Sequence, residues 1–157
     1  MIEPITHPVA THALARKVGP QGQLLSTAIS SDICGSRTLG VGYVSMNALH
    51  YTRAHRHCAS DIVVTVIAGV AATIYGDDLQ HTAIHSPGDS IFIPAGVPHA
   101  AINLSNEVVH AVEIRTDPHF ADSDVELLPD LEPAVRSIAG RIQAQHQPVL
   151  EDSRSGA

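Results

Sequence analysis

The most informative segment of the chain is residues 88–103, which read GDSIFIPAGVPHAAIN. The residues that set its spacing, G-x5-P-x-G-x2-H-x3-N, are Gly88, Pro94, Gly96, His99 and Asn103. The segment predicts a turn at 87–89, a short buried strand at 90–93 and then a rigid corner, because proline fixes φ and glycine tolerates turn conformations. We expect this corner to direct His99 toward the interior of a β-structure, with Asn103 on the same face by alternation.

The chain on both sides of this segment consists of short runs with β character. Turn signals such as Ala-Gly at 68–69, Gly-Asp-Asp at 76–78 and Ser-Asn at 105–106 separate these runs. The predicted strands are 25–29, 39–46, 49–57, 62–67, 70–75, 79–85, 90–93, 99–104 and 108–115. Short strands at this spacing indicate an all-β sandwich or barrel.

The two ends of the chain depart from the β pattern. We predict an N-terminal arm over residues 1–24, the β-barrel over 25–118, and a C-terminal helix with a flexible tail over 119–157. Apolar residues recur at helical spacing between Glu132 and Gln145, which predicts one amphipathic helix there.

Length and composition exclude several classes of function. The chain has 157 residues, enough for one domain, and a net charge of −7 without any basic run, so we expect no nucleic-acid binding. Its most apolar window, residues 62–75, spans 14 residues and is too short for a membrane helix. We expect no secretory signal, and the two cysteines are too few for a disulfide framework. We therefore expect a cytoplasmic protein that does not bind membranes.

A pair of histidines stands out among the 11 histidines of the chain. His55 and His57 lie at the end of a predicted strand, where alternation places both on one face with Cα atoms about 6.5 Å apart. Two imidazoles so placed can bind one metal ion. Asp61 begins the next predicted strand and could add an oxygen ligand. The alternative is a pair of half-exposed histidines without a metal.

Taken together, the histidine pair and the 88–103 segment resemble the cupin superfamily. The first motif of that family is G-x5-H-x-H-x3,4-E-x6-G, and its second is the spacing quoted above. The second motif is complete here; in the first, His55, His57 and Gly69 are present and Asp61 stands where the family usually has Glu. The resemblance covers about residues 39–115 and implies a cupin-type double-stranded β-helix, a jelly-roll barrel.

The resemblance also implies a set of metal ligands. By position these are His55, His57, Asp61 and His99. Such a mixed nitrogen and oxygen set suits a divalent transition metal, and spacing alone does not choose among Fe, Mn, Zn, Ni and Co. If the shorter Asp61 does not coordinate, the site is a face of three histidines, which is common for Zn or Cu.

Two further residues are candidates for catalysis. Alternation counted back from His55 places Tyr51 on the metal-facing side of the same predicted strand. His110 lies among Val and Ile on the last predicted strand, where it is either a hydrogen-bonded core residue or a general acid–base. The seven other histidines, His85 among them, show no ligand spacing and are interpreted as surface or loop residues.

The strand that follows the histidine pair is apolar on both faces. Alternation from His55 predicts that Val63, Thr65 and Ile67 face the interior, while the face with Val64 and Val66 is covered by the other sheet or by a second subunit. We therefore expect a homodimer.

The resemblance implies a protein that binds a small-molecule substrate at a divalent metal inside the barrel. Small cupins include dioxygenases, decarboxylases, isomerases and cyclase-like proteins, and a dioxygenase-type oxidoreductase is the leading hypothesis. The alternatives are a non-redox Zn or Ni lyase, isomerase or polyketide-cyclase-like enzyme, and a non-catalytic cupin that binds a small molecule.

Overall fold

The computed structural model describes residues 5–147, and the predicted flexible tail beyond them lies outside the described residues. The strands are β1 (Lys17–Val18), β2 (Leu24–Ile29), β3 (Gly40–Met46), β4 (His55–His57), β5 (Ile62–Ala68), β6 (Ala71–Tyr75), β7 (His81–His85), β8 (Ser90–Ile93), β9 (His99–Asn103), β10 (Val109–Arg115) and β11 (Val125–Leu127). The α-helices are α1 (Ser31–Cys34) and α2 (Glu132–His146), and short 3₁₀ helices span Asp122–Asp124 and Pro129–Leu131.

The strands form two sheets with antiparallel neighbours. One sheet has six strands in the order β1-β2-β3-β10-β5-β8, and the other has five in the order β11-β4-β9-β6-β7. Consecutive strands repeatedly change sheet, as when β4 lies in one sheet and β5 in the other. The two sheets enclose a cavity between their inner faces. The predicted all-β jelly roll is therefore confirmed.

The corner predicted in the 88–103 segment lies where the chain crosses from β8 to β9. Gly96 has φ +83°, a conformation that favours glycine, and its N–H donates to the carbonyl of His57 at 2.7 Å. β9 then runs beside β4, with His99 directly opposite His55. The second motif is thus held against the first by the turn that its own glycine makes possible.

Helix α2 covers the outer face of the five-stranded sheet, and it confirms the predicted C-terminal helix. Val135 and Ala139 on the helix are fully buried, and they belong to one apolar cluster with Ala54, Ile74 and Ile102 of the sheet side. No helix within residues 5–147 is long and apolar enough to span a bilayer.

The predicted orientation of β5 is wrong. Val64 and Val66 line the cavity between the sheets, whereas Ile67 points outward with 57% of its surface exposed. The alternation was carried over from His55, but the chain changes sheets between β4 and β5. A side-chain parity counted through such a crossing has no geometric basis, because the two strands belong to different surfaces.

Strand β11 was not predicted. It pairs with β4 at the edge of the five-stranded sheet, where Val125 lies opposite His57 and Leu127 opposite His55. The segment after the barrel therefore contributes backbone directly beside the histidine pair.

Candidate metal centre

Three histidines meet at the inner face of the five-stranded sheet. His55 and His57 project from β4 and His99 projects from β9. Their ring centroids are 4.3 Å apart for His55 and His99, 5.7 Å for His55 and His57, and 5.8 Å for His57 and His99. One ring nitrogen from each lies within 4.8 Å of the others, which suits a shared metal ion.

Hydrogen bonds fix the orientation of all three rings. Nδ1 of His55 donates to the carbonyl of Arg53 at 2.8 Å, and Nδ1 of His99 donates to the carbonyl of Val97 at 2.9 Å. A carbonyl can only accept, so these two rings carry their proton on Nδ1 and keep the lone pair of Nε2 for a metal. Nδ1 of His57 lies 3.1 Å from a carboxylate oxygen of Asp124.

The environment of the cluster favours neutral imidazoles. Their exposed fractions are 4% for His55, 2% for His57 and 4% for His99. Burial, with the neighbouring His99, holds the pKa of His55 well below its ordinary value, and burial lowers the pKa of His99 to about 4. Burial also lowers the pKa of His57, and the nearby positive charge of Arg115 acts in the same direction. Neutral imidazole is the form that binds metals.

The donor set fits a divalent transition metal. Nε2 of His57 is buried and has no hydrogen-bond partner among the described residues. A buried polar atom without a partner is costly, and a bound metal would satisfy it. His55, His57 and His99 are the residues that would hold the ion.

Asp61 does not join these three residues, contrary to the expectation from its position in the motif. Its carboxylate accepts a hydrogen bond from the N–H of Ala95 at 2.9 Å, and its own N–H donates to Oγ1 of Thr116. The side chain therefore stabilises the corner between β8 and β9 instead of facing the histidines. The shorter side chain and the sheet crossing that begins at this point account for the difference.

Neither candidate for catalysis lies in the cavity. Tyr51 packs against the apolar cluster that lies beneath α2. The segment between Tyr51 and β4 is irregular, so side-chain alternation does not extend through it. His110 is exposed on the outer face of β10, where its Nδ1 lies 3.2 Å from Oγ of Ser45. The structure thus removes both side chains from contact with a molecule bound at the cluster.

A small, mostly apolar cavity, lined in part by His55 and His99, extends between the two sheets. The cavity volume is about 50 Å³. The polar residues that line it are Gln23, His55, Thr73, His85, His99 and Glu113. His85, which we interpreted as a surface or loop residue, is instead buried, and its Nε2 lies 3.0 Å from Oγ1 of Thr73.

A buried ion pair stands beside the cluster on β10. Nε of Arg115 donates to Glu113 at 2.6 Å, and the side chains are 0% and 4% exposed. The guanidinium stacks on Phe120 at 4.0 Å from the ring centroid, and its Nη1 donates to the carbonyl of Ala121. Opposite charges two residues apart on the otherwise apolar inner face of a strand are a sequence signal that could have identified this pair.

Asp124 is the other charged residue that sequence reasoning missed. Burial raises its pKa, but hydrogen bonds from Ser60, Ala59 and His57 outweigh this and lower the pKa below its ordinary value. The carboxylate is therefore ionised beside the cluster. No motif spacing connects Asp124 with a histidine 67 positions earlier, so only the fold reveals the contact.

Comparison with known proteins agrees with this architecture. The sequence profile of the family described as "Cupin domain" matches residues 42–115. No curated protein sequence matches the chain. Among solved structures, an oxalate decarboxylase from Bacillus subtilis studied for its Mn(II) centres superposes with a TM-score of 0.62 at 22% identity, over 73% of this chain and 30% of that one. This chain thus spans less than a third of the length of that enzyme.

Two other structures have a similar fold. A conserved protein with a double-stranded β-helix domain from Klebsiella pneumoniae is 18% identical with a TM-score of 0.55, over 67% of this chain and 83% of that one. Drosophila melanogaster CENP-C bound to CAL1 is 14% identical with a TM-score of 0.54, over 65% of this chain and 76% of that one. At these identities the likeness concerns the fold. The profile match over residues 42–115, the two facing sheets and the complete second motif agree on a cupin-type domain in this part of the chain.

Proposed function

We propose that this protein is a metal-dependent enzyme that acts on a compact organic molecule inside its barrel. The observation that carries the proposal is the convergence of three buried, neutral imidazoles, His55, His57 and His99, beside an apolar cavity that His55 and His99 line. A divalent metal held there would polarise a bound oxygen atom or, if redox-active, activate dioxygen.

The cavity residues define what the chain itself can do to a bound molecule. Apolar walls exclude water, and the cavity volume of about 50 Å³ favours a compact ligand. Glu113 and Gln23 offer hydrogen bonds from the six-stranded sheet, while Thr73 and His85 offer them from the facing sheet. Glu113 forms an ion pair with Arg115, and its carboxylate can orient a hydroxyl or enol group by accepting its hydrogen bond.

Within this class we favour a dioxygenase-type oxidoreductase with Fe or Mn. The Mn(II) centres of the similarly folded oxalate decarboxylase support a redox-active metal in this fold. The absence of Asp61 from the cluster favours one alternative, in which Zn or Ni at a face of three histidines supports a lyase, isomerase or cyclase-like reaction. The small size of the cavity favours another alternative, a non-catalytic cupin that retains a small molecule.

Metal analysis and oxygen uptake test this proposal. We expect untagged full-length protein to bind about one divalent ion per chain and His57→Ala to bind almost none. Substoichiometric metal in the wild type that is unchanged in His57→Ala contradicts the shared premise. Dioxygen consumption with small enols or catechols by the Fe or Mn form supports the oxidoreductase, whereas turnover by the Zn form without dioxygen supports the non-redox alternative.

We also propose that two copies associate through the outer face of the six-stranded sheet. Phe92, Ile67 and Tyr43 on this face are 60%, 57% and 52% exposed. Val63 lies between Phe92 and Ile114 in register, so the apolar surface continues across the sheet. The outward positions of β3, β5, β8 and β10 carry no Asp, Glu, Lys or Arg. A second copy with the same uncharged face meets no electrostatic repulsion.

Light scattering after gel filtration tests the dimer. We expect the wild type to elute with twice the mass of one chain and Phe92→Glu to elute as a monomer with an unchanged circular dichroism spectrum. A monomeric wild type at micromolar concentration contradicts this proposal and leaves the metal site unaffected. A cytoplasmic location remains part of the proposal and is tested by cell fractionation.

A further inference from the structure

Asp124 differs from the other charged groups near the cluster in its place along the chain. It ends the 3₁₀ helix Asp122–Asp124, immediately before β11, and lies outside the residues 42–115 that match the family. Its side chain is 9% exposed and contacts His57 on the side away from the centre of the cluster, through Nδ1.

The carboxylate of Asp124 is held by several donors besides His57. Oδ1 accepts the N–H of Ala59 at 2.8 Å, and Oδ2 accepts the hydroxyl of Ser60. The backbone carbonyl of Asp124 accepts the N–H of Cys58 at 2.8 Å. These contacts fix the carboxylate relative to the loop that follows β4, so its position is set before any ion binds.

The three histidines are not equivalent in this respect. His55 and His99 each donate Nδ1–H to the carbonyl of the residue two positions earlier in their own segment. His57 alone donates to a carboxylate, and that carboxylate comes from a distant part of the chain. A carboxylate that accepts from Nδ1 fixes the tautomer and makes Nε2 a stronger donor to a metal.

Backbone pairing holds the Asp124 segment in place. Val125 pairs with His57 and Leu127 with His55, so β11 runs along the strand that carries two of the three histidines. Any displacement of β11 would move the carboxylate away from Nδ1 of His57.

We propose that Asp124 is a positioning residue of the metal site, which orients His57 so that Nε2 faces the ion. Its carboxylate acts on the site by contacting His57, whereas the carboxylate of Asp61 contacts Ala95 instead. This inference rests on the proposed metal-dependent function. The segment after residue 115 would then contribute a functional residue to the metal site.

Zinc affinity measured by chelator competition on the full-length protein tests the proposal. We expect Asp124→Ala to bind Zn(II) about 10- to 100-fold more weakly than the wild type. Asp124→Asn, which keeps the size but loses the charge, should fall between the two. The matched control is Glu126→Gln, since Glu126 lies two residues along the same segment and pairs with the exposed Arg56 at 2.7 Å. Equal affinity for wild type and Asp124→Ala overturns the proposal.

A measurement without metal separates this proposal from the proposed function. In the apo protein, nitrogen chemical shifts of the His57 ring should report a proton on Nδ1 in the wild type and a mixture of tautomers in Asp124→Ala. A residue that served only to anchor β11 would lower the melting temperature and leave both this signature and the relative zinc affinity unchanged, which overturns the positioning role. If the wild type binds no metal but the tautomer changes in Asp124→Ala, the metal function fails and the positioning of His57 stands.

Discussion

Two carboxylates, Asp61 and Asp124, lie near the strand that carries His55 and His57. The one that is close in sequence does not contact the histidines, and the one that is distant in sequence does. Asp61 is four residues from His57 and binds the N–H of Ala95 at a corner. Asp124 is 67 residues away and contacts the ring of His57 itself. Proximity along the chain therefore indicates a ligand only while the chain stays in one sheet. At Asp61 the chain leaves the five-stranded sheet for the facing sheet. Strand β11, in contrast, returns to the five-stranded sheet and pairs with β4.

The largest effect should follow from removing a histidine of the cluster. We expect His99→Ala to abolish stoichiometric metal binding, because two imidazoles and water do not replace three converging ligands. His85→Ala is the matched control, since His85 is also buried in the cavity but pairs with Thr73. Inductively coupled plasma mass spectrometry on dialysed protein measures the difference, and equal loss in both variants would place the metal elsewhere.

The next largest effect should be a loss of folding stability of the apo protein at low pH. The pKa of His55, His57 and His99 is lowered in the folded state, to about 4 for His99. Between the ordinary value near 6.5 and about 4, the unfolded chain therefore binds more protons, so stability falls as pH falls through this window. Each such histidine contributes up to about 1.4 kcal/mol per pH unit.

Urea unfolding of the apo protein between pH 7 and pH 4.5 checks this slope. The His99→Gln variant should show a shallower dependence on pH than the wild type. A wild-type stability that is flat over this range, or that rises on acidification, would mean that the cluster is not buried in its neutral form.

Replacing Asp61 should lower the free energy of unfolding and leave the metal affinity unchanged. Asp61→Ala removes the acceptor of the Ala95 N–H at 2.9 Å, at a cost of about 1–2 kcal/mol in the free energy of unfolding. We expect its zinc affinity to stay within about twofold of the wild type, because no ligand is lost. A drop as large as that of a histidine variant would reinstate Asp61 as a ligand.

The smallest effect belongs to the exposed pair beside the site. Glu126→Gln breaks the contact with Arg56 on β4, but salt and water screen this pair. We expect no measurable change in melting temperature or metal affinity. A loss of affinity comparable to that of Asp124→Ala would show that charge anywhere on β11 suffices, and would remove the distinction between the two carboxylates.

Much of the fold and the core of the site could be predicted because their signals are local. Short strands, the corner around Gly96 and the placement of His55 and His57 depend on residues a few positions apart. The 88–103 spacing brought His99 into the set because the corner at Gly96 leads directly into β9, the strand beside β4 on which His99 lies.

The rest could not be predicted because it depends on which sheet each segment joins. Alternation failed for Tyr51 and for β5, where irregular backbone or a change of sheet interrupts the pleat. His110, predicted as a core residue or a general acid–base, lies on the exposed face of β10, while Glu113, on the opposite parity of the same strand, lines the cavity. Asp124 reaches His57 only through the three-residue strand β11, which is too short to be recognised by periodicity.

The most direct test of this metal site is a zinc competition series on the wild type, Asp61→Ala, Asp124→Ala and His57→Ala, measured side by side at neutral pH. We predict equal affinity for the wild type and Asp61→Ala, a loss of about 10- to 100-fold for Asp124→Ala, and almost no binding for His57→Ala. An order in which Asp61→Ala binds more weakly than Asp124→Ala would contradict this prediction.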